Sequence, residues 1–144
     1  MIFDNIRLEI IVLEIRSQFE DHLECLDIRL EQQKGEISDI QDYFKKRADI
    51  ERKYSKDLEG LSKSMYNKHR EILKNEDAPS STAILRELVK ETKKTARNHA
   101  VAEEIFGTEM HGKCHKISSD IGRVYKQVSK MARRLSKMLP IFLV

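Results

Sequence analysis

The sequence has no tryptophan, and its 144 residues include only two prolines, five glycines and two cysteines. Aromatic residues make up 6% of the chain and charged residues 35%. So much charge is unusual for a compact globule, whereas the content of Leu, Ile and Met is too high for a disordered chain. The composition therefore favours one domain of long helices, each burying a narrow apolar stripe and exposing the rest.

Signals for secretion and membrane insertion are also lacking. No Asn-x-Ser/Thr site occurs, and Asp4, Glu9 and Glu14 interrupt the apolar N-terminus, where a signal peptide needs an unbroken apolar core. The apolar residues at the C-terminus are too few to span a bilayer. Without a secretory signature, Cys25 and Cys114 are predicted to be free buried thiols rather than a disulfide. We expect a cytoplasmic protein.

Motifs for catalysis and cofactor binding are missing as well. The glycines occur singly, so they form no nucleotide-binding loop, and no Ser or Cys lies in a nucleophile elbow. His111 and His115 are four residues apart, a spacing that zinc can use, with Cys114 between them. Zinc needs a fourth ligand, so we favour the alternative in which Cys114 lies in a helix seam and the histidines flank it. The sequence predicts no enzyme, no cofactor and no small-molecule substrate.

Apolar residues recur every three or four positions, which predicts long helices packed side by side. In the first half this seam consists of Ile15, Phe19, Leu23, Leu26, Leu30, Ile37, Ile40, Phe44, Tyr54, Leu58, Leu61, Met65 and Ile72. In the second half it consists of Ile84, Leu88, Thr92, Ala96, His99, Ala102, Phe106, Met110, Cys114, Ile117, Ile121, Val124, Val128, Met131, Leu135 and Met138. Strand alternation is absent, so we predict an all-α, elongated antiparallel coiled coil. Such a rod leaves part of its seam exposed, and we expect it to assemble with other helices.

Three breaks divide the pattern. Pro79 disfavours helix at the preceding residue, and Ser80, Ser81 or Thr82 can cap the next helix. Gly35 predicts a bend, and Pro140 ends the pattern. We therefore predict a helical lead over residues 1–12, one domain over 13–139 with helices at about 13–33, 36–74 and 82–138, and a tail over 140–144.

The net charge of +3 conceals a gradient along the chain. Residues 1–42 hold 4 Lys/Arg and 11 Asp/Glu, a net charge of −7. Residues 43–104 hold 15 and 11, a net charge of +4, and residues 105–144 hold 8 and 2, a net charge of +6. A plain coiled-coil spacer does not need such polarity, so we predict that the basic part faces an anionic surface.

Acidic phospholipid is the surface that the basic residues favour. Acids interleave with them in the middle of the chain, but residues 123–137 contain no acid. Nucleic acid is less favoured, because aromatic residues for base stacking are nearly absent from the basic stretches. The candidate lipid-binding residues are Lys93, Lys94, Arg97, Arg123, Lys126, Lys130, Arg133, Arg134 and Lys137.

Two charged residues, Arg47 and Glu51, interrupt the first half of the seam. They are four residues apart and can pair within the helix or across a partner helix, and such polar positions often fix the register of packing. The alternative is that the seam shifts locally to Ala48 and Ile50.

The segment DIQDYFKKRADIERKYSKDLEGLSK, residues 39–63, resembles the FCH signature that opens F-BAR domains. The segments IRSQFEDHLECLDIRLEQQKGEISDIQDYF and LVKETKKTARNHAVAEEIFGTEM are similar to the SLIT–ROBO Rho GTPase-activating protein branch of that family, and the resemblance covers about residues 13–135. The residues that match the signature are Phe44, Arg47, Ala48, Ile50, Glu51, Tyr54, Leu58 and Leu61.

This resemblance implies a crescent-shaped antiparallel dimer whose basic surface binds acidic phospholipids and shapes membrane. It implies a peripheral position at the plasma membrane, a role in actin and cell-migration pathways, and pairing with a second copy or a related F-BAR chain. It also implies that Arg47 and Glu51 belong to the helical core signature. The Rho-directed catalytic domain of such proteins is not in this sequence.

The resemblance is to roughly the first half of an F-BAR domain, and the opening MIFDNIRLEII departs from the family start. We therefore expect a shortened isoform or an incomplete gene model, in which the missing helices would otherwise cover part of the seam. The alternative function is a coiled-coil adaptor or dominant-negative dimerisation fragment without lipid binding.

Overall fold

In a computed structural model of the chain, which describes residues 1–77 and 79–138, nearly every residue is helical. The elements are α1 (Ile2–Lys68), α2 (Arg70–Leu73), α3 (Ser80–Glu104), a π-helical segment (Ile105–Met110) and α4 (His111–Met138). No strand occurs in the described residues. The all-α class predicted from the apolar spacing is therefore confirmed.

The helix break predicted at Gly35 is absent, because α1 continues through this residue. The expected helical lead over 1–12 and the expected helices over 13–33 and 36–74 are thus parts of one element, which ends at Lys68. A glycine costs a helix only about 1 kcal/mol relative to alanine. The apolar spacing keeps the same phase on both sides of Gly35, so continued packing outweighs that cost.

The break predicted at Pro79 is present, since α2 ends at Leu73 and α3 begins at Ser80. The predicted side-chain cap is not formed, because Pro79 occupies the cap position and its carbonyl oxygen accepts the backbone N–H of Thr82 at 2.8 Å. The predicted helix end at Pro140 and the tail over 140–144 lie outside the described residues.

The chain divides into two compact units, which we name the central unit (Ile40–Lys113) and the terminal unit (residues 1–39 with residues 114–138). In the central unit the second half of α1 runs antiparallel to α3. The Ser55 hydroxyl donates to the Ala96 carbonyl oxygen at 2.8 Å, and the Ser62 hydroxyl donates to the Val89 carbonyl oxygen at 3.2 Å. These bonds join α1 to α3 across the helix pair.

Small residues form the contact between helices in the central unit. Ala48 and Ala96 are 3% and 4% exposed, and a Cβ atom placed on Gly107 would lie 3.2 Å from the Cβ of Ala48. The backbones therefore approach closely at these positions. Large apolar residues of the predicted seam remain exposed in this unit, namely Ile40, Tyr54, Leu61, Ile72, Ile84 and Leu88.

The terminal unit has few fully buried apolar residues. Its buried apolar residues among those described are Leu30 and Cys114, and α4 adds the buried serines Ser129 and Ser136. Cys114 is buried as predicted, but Cys25 is exposed, so the expectation of two buried thiols is wrong for Cys25. The predicted seam therefore divides into residues that are buried or half-buried, such as Leu30, Phe44 and Phe106, and large apolar residues that remain exposed.

Candidate functional site

The basic residues predicted on α4 are all exposed and lie on one side of the helix. At about 100° per residue they fall within an arc of about 100°. Five of them line one shallow groove with Tyr125 and Ser129, and Arg123 donates to Asp120 at 3.1 Å. We name this surface the basic face, and it consists of Arg123, Lys126, Lys130, Arg133, Arg134 and Lys137.

A second surface of α4 is apolar and exposed. Its residues follow the seven-residue spacing of a coiled-coil seam, and each is about half exposed, with Met131 at 66%. We name this surface the apolar stripe, and it consists of Ile117, Val124, Val128, Met131, Leu135 and Met138.

The two surfaces point in different directions from the same helix. From their positions at about 100° per residue, the centre of the apolar stripe lies roughly 130° around the helix from the centre of the basic face. The remaining third of the circumference is buried or half-buried. It holds the small residues Cys114, Ser118, Gly122, Ser129, Ala132 and Ser136 together with the larger Ile121 and Tyr125. α4 is therefore a three-sided helix. Val124 and Val128 of the apolar stripe line a groove with Leu30 of α1, and the whole stripe stays about half exposed.

The basic residues predicted on α3 lie in the central unit. Lys93, Lys94 and Arg97 are exposed and line a groove with Arg86 and Lys90. Lys94 is 3.8 Å from Glu91, and Lys90 is 3.3 Å from Glu87, so neighbouring acids offset part of this charge. We name these five cations the α3 group, and the neighbouring acids leave it with less excess positive charge than the basic face.

Arg86 holds the end of this groove together by hydrogen bonds. Its guanidinium donates to the carbonyl oxygens of Leu73, at 3.3 Å, and Asn75, at 3.1 Å. These bonds hold α2 and the turn after it against α3. Arg86 therefore has a structural role that its position in a basic stretch did not indicate.

The signature residues are not all in the core. Ala48 and Glu51 are buried, and Phe44 and Leu58 are half-buried. Arg47, Ile50, Tyr54 and Leu61 are exposed. The alternative prediction, that the seam shifts locally to Ala48 and Ile50, is therefore correct for Ala48 and wrong for Ile50.

Glu51 is the centre of a polar cluster that the sequence revealed only in part. Its carboxylate accepts a bond from Arg47 Nη2 at 2.7 Å within α1, and it also bonds to Nδ1 of His99 on α3. The His99 ring meets Tyr54 edge-on, with the ring centroids 4.6 Å apart. A buried carboxylate is costly unless it is paired, and here it is paired twice.

Aromatic contacts continue from this cluster. Phe44 stacks on Phe106 with the centroids 6.1 Å apart, and the Arg47 guanidinium lies 5.5 Å from the centre of the Phe106 ring. Arg47 thus contacts both a carboxylate and an aromatic face. The signature residues Phe44, Arg47 and Glu51 together fix how the central unit's two helices align.

Two exposed ion pairs of the central unit shift the pKa of their members. A hydrogen bond from Lys63 lowers the pKa of the Glu59 carboxyl below its ordinary 4.5. A hydrogen bond to Glu103, across from α1 to the end of α3, raises the pKa of the Arg52 guanidinium above its ordinary value. Both pairs are solvent-exposed, so each is expected to contribute little to the stability of the fold.

Neither a metal centre nor a membrane span is found in the part of the chain that the structure describes. No group of three or more His, Cys, Asp or Glu side chains is placed to hold a metal ion. None of the described helices combines the length and apolar character that crossing a bilayer requires. Exposed apolar residues also occur at the start of α1, among them Ile2, Phe3 and Leu13.

Comparison with known proteins decides the family. The family model of the Fes/CIP4 and EFC/F-BAR homology domain (FCH) matches residues 22–101, more than half of the chain. The chain belongs to the F-BAR family. The resemblance drawn from residues 39–63 is therefore confirmed, and the matched region contains the whole Glu51 cluster.

The relatives point to the same branch. SLIT-ROBO Rho GTPase-activating protein 2 of Danio rerio is 31% identical over 133 residues, which are 89% of this chain and 12% of that protein. SLIT-ROBO Rho GTPase-activating protein 1 of Homo sapiens is 28% identical over 134 residues, with the same shares. Rho GTPase-activating protein 4 of Homo sapiens is 23% identical over 137 residues, 89% of this chain and 14% of that protein. No solved structure matches the chain.

Two features of these surfaces were missed from the sequence. The partner of Glu51 across the helices, His99, lies 48 residues away, and only the register of α1 against α3 brings them together. The outward direction of the apolar stripe was also missed, because its residues and the small residues of α4 both recur every three or four positions. The small size of Ser118, Ser129 and Ser136 was the available signal for a close-packed inward face.

Proposed function

We propose that this F-BAR chain is a membrane-associated pairing module of the cytoplasm. Its basic face, assisted by Lys93, Lys94 and Arg97, binds acidic phospholipid at the plasma membrane. Its apolar stripe pairs with the helices of a second copy or of a longer F-BAR relative.

The basic face is the observation that carries the lipid part of this proposal. It presents six exposed cations on one side of a helix, and residues 121–138 include no acid to offset them. Each cation held near an anionic leaflet contributes about 1 kcal/mol. Even with Arg123 offset by Asp120, the sum is on the order of 5 kcal/mol, which is enough for reversible binding.

The apolar stripe supports the pairing part. The terminal unit buries little apolar surface, yet α4 exposes six large apolar side chains at coiled-coil spacing. Another helix laid along this stripe removes that surface from water, at about 25 cal/mol for each Å² buried. Pairing without lipid binding is the second candidate function, and the same stripe favours it.

Pairing with longer chains links this module to signalling. The relatives are named Rho GTPase-activating proteins, and this chain spans about an eighth of their length. We propose that it pairs with such relatives and thereby influences actin-linked Rho signalling, while the chemistry on the GTPase belongs to the longer partner.

Co-sedimentation with vesicles tests the lipid part. The purified chain is mixed with anionic or neutral vesicles at low and at physiological salt. We expect binding to anionic vesicles alone, weakening as salt screens the charges. The variant Lys130→Glu/Arg134→Glu is expected to lose this binding because it reverses two cations in the middle of the basic face.

A control variant of equal charge change separates the basic face from net charge. Arg7→Glu/Arg16→Glu alters the acidic part of α1 by the same number of charges. This control is expected to bind vesicles as the wild type does. Equal loss in both variants would show that only net charge matters. A folded wild-type chain that ignores anionic vesicles would leave pairing as the function.

A further inference from the structure

The first turns of α1 carry an exposed apolar surface of their own. At about 100° per residue, five large apolar side chains fall within an arc of about 100° on one side of the helix. All five are exposed, and Phe3 is 87% exposed. We name this surface the lead patch, and it consists of Ile2, Phe3, Ile6, Ile10 and Leu13.

The lead patch does not point toward α4 of the same chain. Leu26 and Leu30 of α1 line a groove with α4, and the half-buried Val12, Phe19 and Leu23 lie on the same side of α1 as these two leucines. The centre of that side is roughly 140° around α1 from the centre of the lead patch. A helix packed on one of the two sides therefore leaves the other side open to a second helix.

The lead patch is also short. After Leu13 the same side of α1 becomes polar, with Ser17, Glu20 and Glu24 at the same spacing of three and four residues. A second copy laid parallel on the patch would bring these acids of both chains together, and like charges in a helix contact are destabilising. An antiparallel copy keeps the two sets of acids apart, so the sequence favours antiparallel contact over about three turns.

The two edges of the lead patch carry opposite charges in opposite order. Arg7 and then Glu14 follow one edge, and Glu9 and then Arg16 follow the other. Arg16 also bonds to Glu20 within α1 at 3.4 Å, an exposed pair that contributes little. When two identical helices pack antiparallel, each edge meets the same edge of the other copy in reverse. The charges at these edges are therefore complementary to a second copy of themselves.

We propose that the lead patch pairs antiparallel with the lead patch of a second copy of this chain. With Ile10 opposite Leu13 of the second copy, Arg7 lies within one turn of Glu14 of the second copy. The other edge brings its arginine and glutamate together in the same way. The edge charges fix the direction of packing, and the apolar side chains between them leave water.

This pairing rests on the assembly role in the proposed function, but it uses a surface other than the apolar stripe. A stable interface buries about 800 Å² on each partner, and three turns of one helix provide less. The lead patch is therefore expected to add a weak contact to pairing through α4. A bilayer is a poorer partner, because Glu9 and Glu14 at the edges would be held against anionic lipid.

Sedimentation equilibrium of the full chain tests the pairing in the stripe variant Met131→Glu/Leu135→Glu, which removes the contact through α4. We expect weak, concentration-dependent association to remain. Adding Ile10→Glu is expected to weaken it by about tenfold or more, because the acid would be buried without a partner. The matched control is Ile28→Glu, five turns further along the same side of α1, which is expected to retain the association. The two positions are 58% and 63% exposed.

A charge test in the otherwise wild-type chain covers the case in which the stripe variant loses helix by circular dichroism. The acidic variant Arg7→Glu/Arg16→Glu and the basic variant Glu9→Arg/Glu14→Arg change only exposed positions. An equal mixture of the two is expected to associate more tightly than either variant alone. As a control, the basic-face variant of the vesicle experiment, which has the same net charge as the acidic variant, is mixed with the basic variant and is expected to give no such gain.

The outcomes distinguish the lead patch from the proposed function. A stripe variant that stays monomeric, equal effects of Ile10→Glu and Ile28→Glu, or equal gains in both mixtures would each overturn pairing through the lead patch. In any of these cases a wild type that still associates leaves the pairing part of the proposed function intact. A stripe variant that associates as the wild type does, and loses this with Ile10→Glu, would support the lead patch and refute the apolar stripe. If Ile10→Glu abolishes vesicle binding and leaves association unchanged, the patch contacts the bilayer and the pairing is overturned.

Discussion

At the residue scale, the most constrained side chain is that of Glu51, whose carboxylate is buried and bonded to two partners. It is 4% exposed and bonds to Arg47 and His99. We expect Glu51→Ala to lower the free energy of unfolding by about 1–3 kcal/mol, because both partners lose their acceptor and a gap is left between the helices. Urea denaturation followed by circular dichroism, at one protein concentration, measures this change.

The matched control for that measurement is Glu87→Ala, which removes an exposed acid paired with Lys90 at 3.3 Å. Exposed pairs of this kind contribute little, so the expected change is within about 0.5 kcal/mol. Similar losses in both variants would show that the Glu51 cluster does not hold α1 and α3 together.

The Glu59–Lys63 pair predicts a small pH dependence with a definite sign. The bond from Lys63 lowers the pKa of Glu59 in the folded chain, so the pair stabilises the fold above the ordinary carboxyl pKa. That contribution is lost as pH falls through the lowered value. Glu59→Gln is therefore expected to unfold at a slightly lower temperature than the wild type at neutral pH, with the difference vanishing in acid. A difference that persists below the folded pKa would refute this assignment.

Whether a side-chain contact can be predicted from the sequence depends on how far apart its two residues are along the chain. The pairing of Arg47 with Glu51 follows from a four-residue spacing, because such residues are neighbours on any helix. The contact of Glu51 with His99 does not follow, because it needs the alignment of two helices. The same limit hid the bond from Arg52 to Glu103, 51 residues apart.

At the scale of elements, two glycines with different surroundings give a matched test of helix packing. A Cβ added at Gly60 meets no atom within 4 Å, whereas one added at Gly107 lies 3.2 Å from the Cβ of Ala48. We expect Gly60→Ala to stabilise the chain by about 0.5–1 kcal/mol, because alanine favours helix. Gly107→Ala is expected to gain less or to destabilise, because Ala48 must move.

Thermal unfolding of the two glycine variants beside the wild type measures this difference. An equal gain in both would mean that α1 and the π-helical segment do not approach as closely as the structure has them. A loss at Gly60 would instead indicate that this exposed position has a partner outside the chain.

The elements also show what periodicity predicts and what it leaves open. The long helices and the break at Pro79 follow from spacing and proline chemistry. The helix break predicted at Gly35 is absent because one glycine is a weak helix breaker. On α4, the spacing predicted the apolar residues of the stripe from Ile117 to Met138. It did not predict that the stripe faces outward, because apolar residues such as Leu135 and small residues such as Ser136 both recur every three or four positions.

At the scale of the whole molecule, the two units differ in how complete they are. The central unit has cross-helix hydrogen bonds, a paired buried carboxylate and stacked phenylalanines. The terminal unit has few buried apolar residues and exposes the apolar stripe. The contacts that align two helices are thus concentrated in the central unit, and we propose that the terminal unit provides the surface for assembly.

Self-association is therefore expected to depend on the terminal unit and on one side of α4. The stripe variant Met131→Glu/Leu135→Glu is expected to shift the chain toward monomer, because each acid would be buried without a partner in a helix pair. The basic-face variant Lys130→Glu/Arg134→Glu adds the same two acids to the same helix and is expected to retain self-association. Sedimentation velocity of the wild type and both variants measures this difference. A monomeric wild type, or equal dissociation of both variants, would show that the stripe is not the pairing surface, since only a face-specific contact distinguishes two substitutions so close together on one helix.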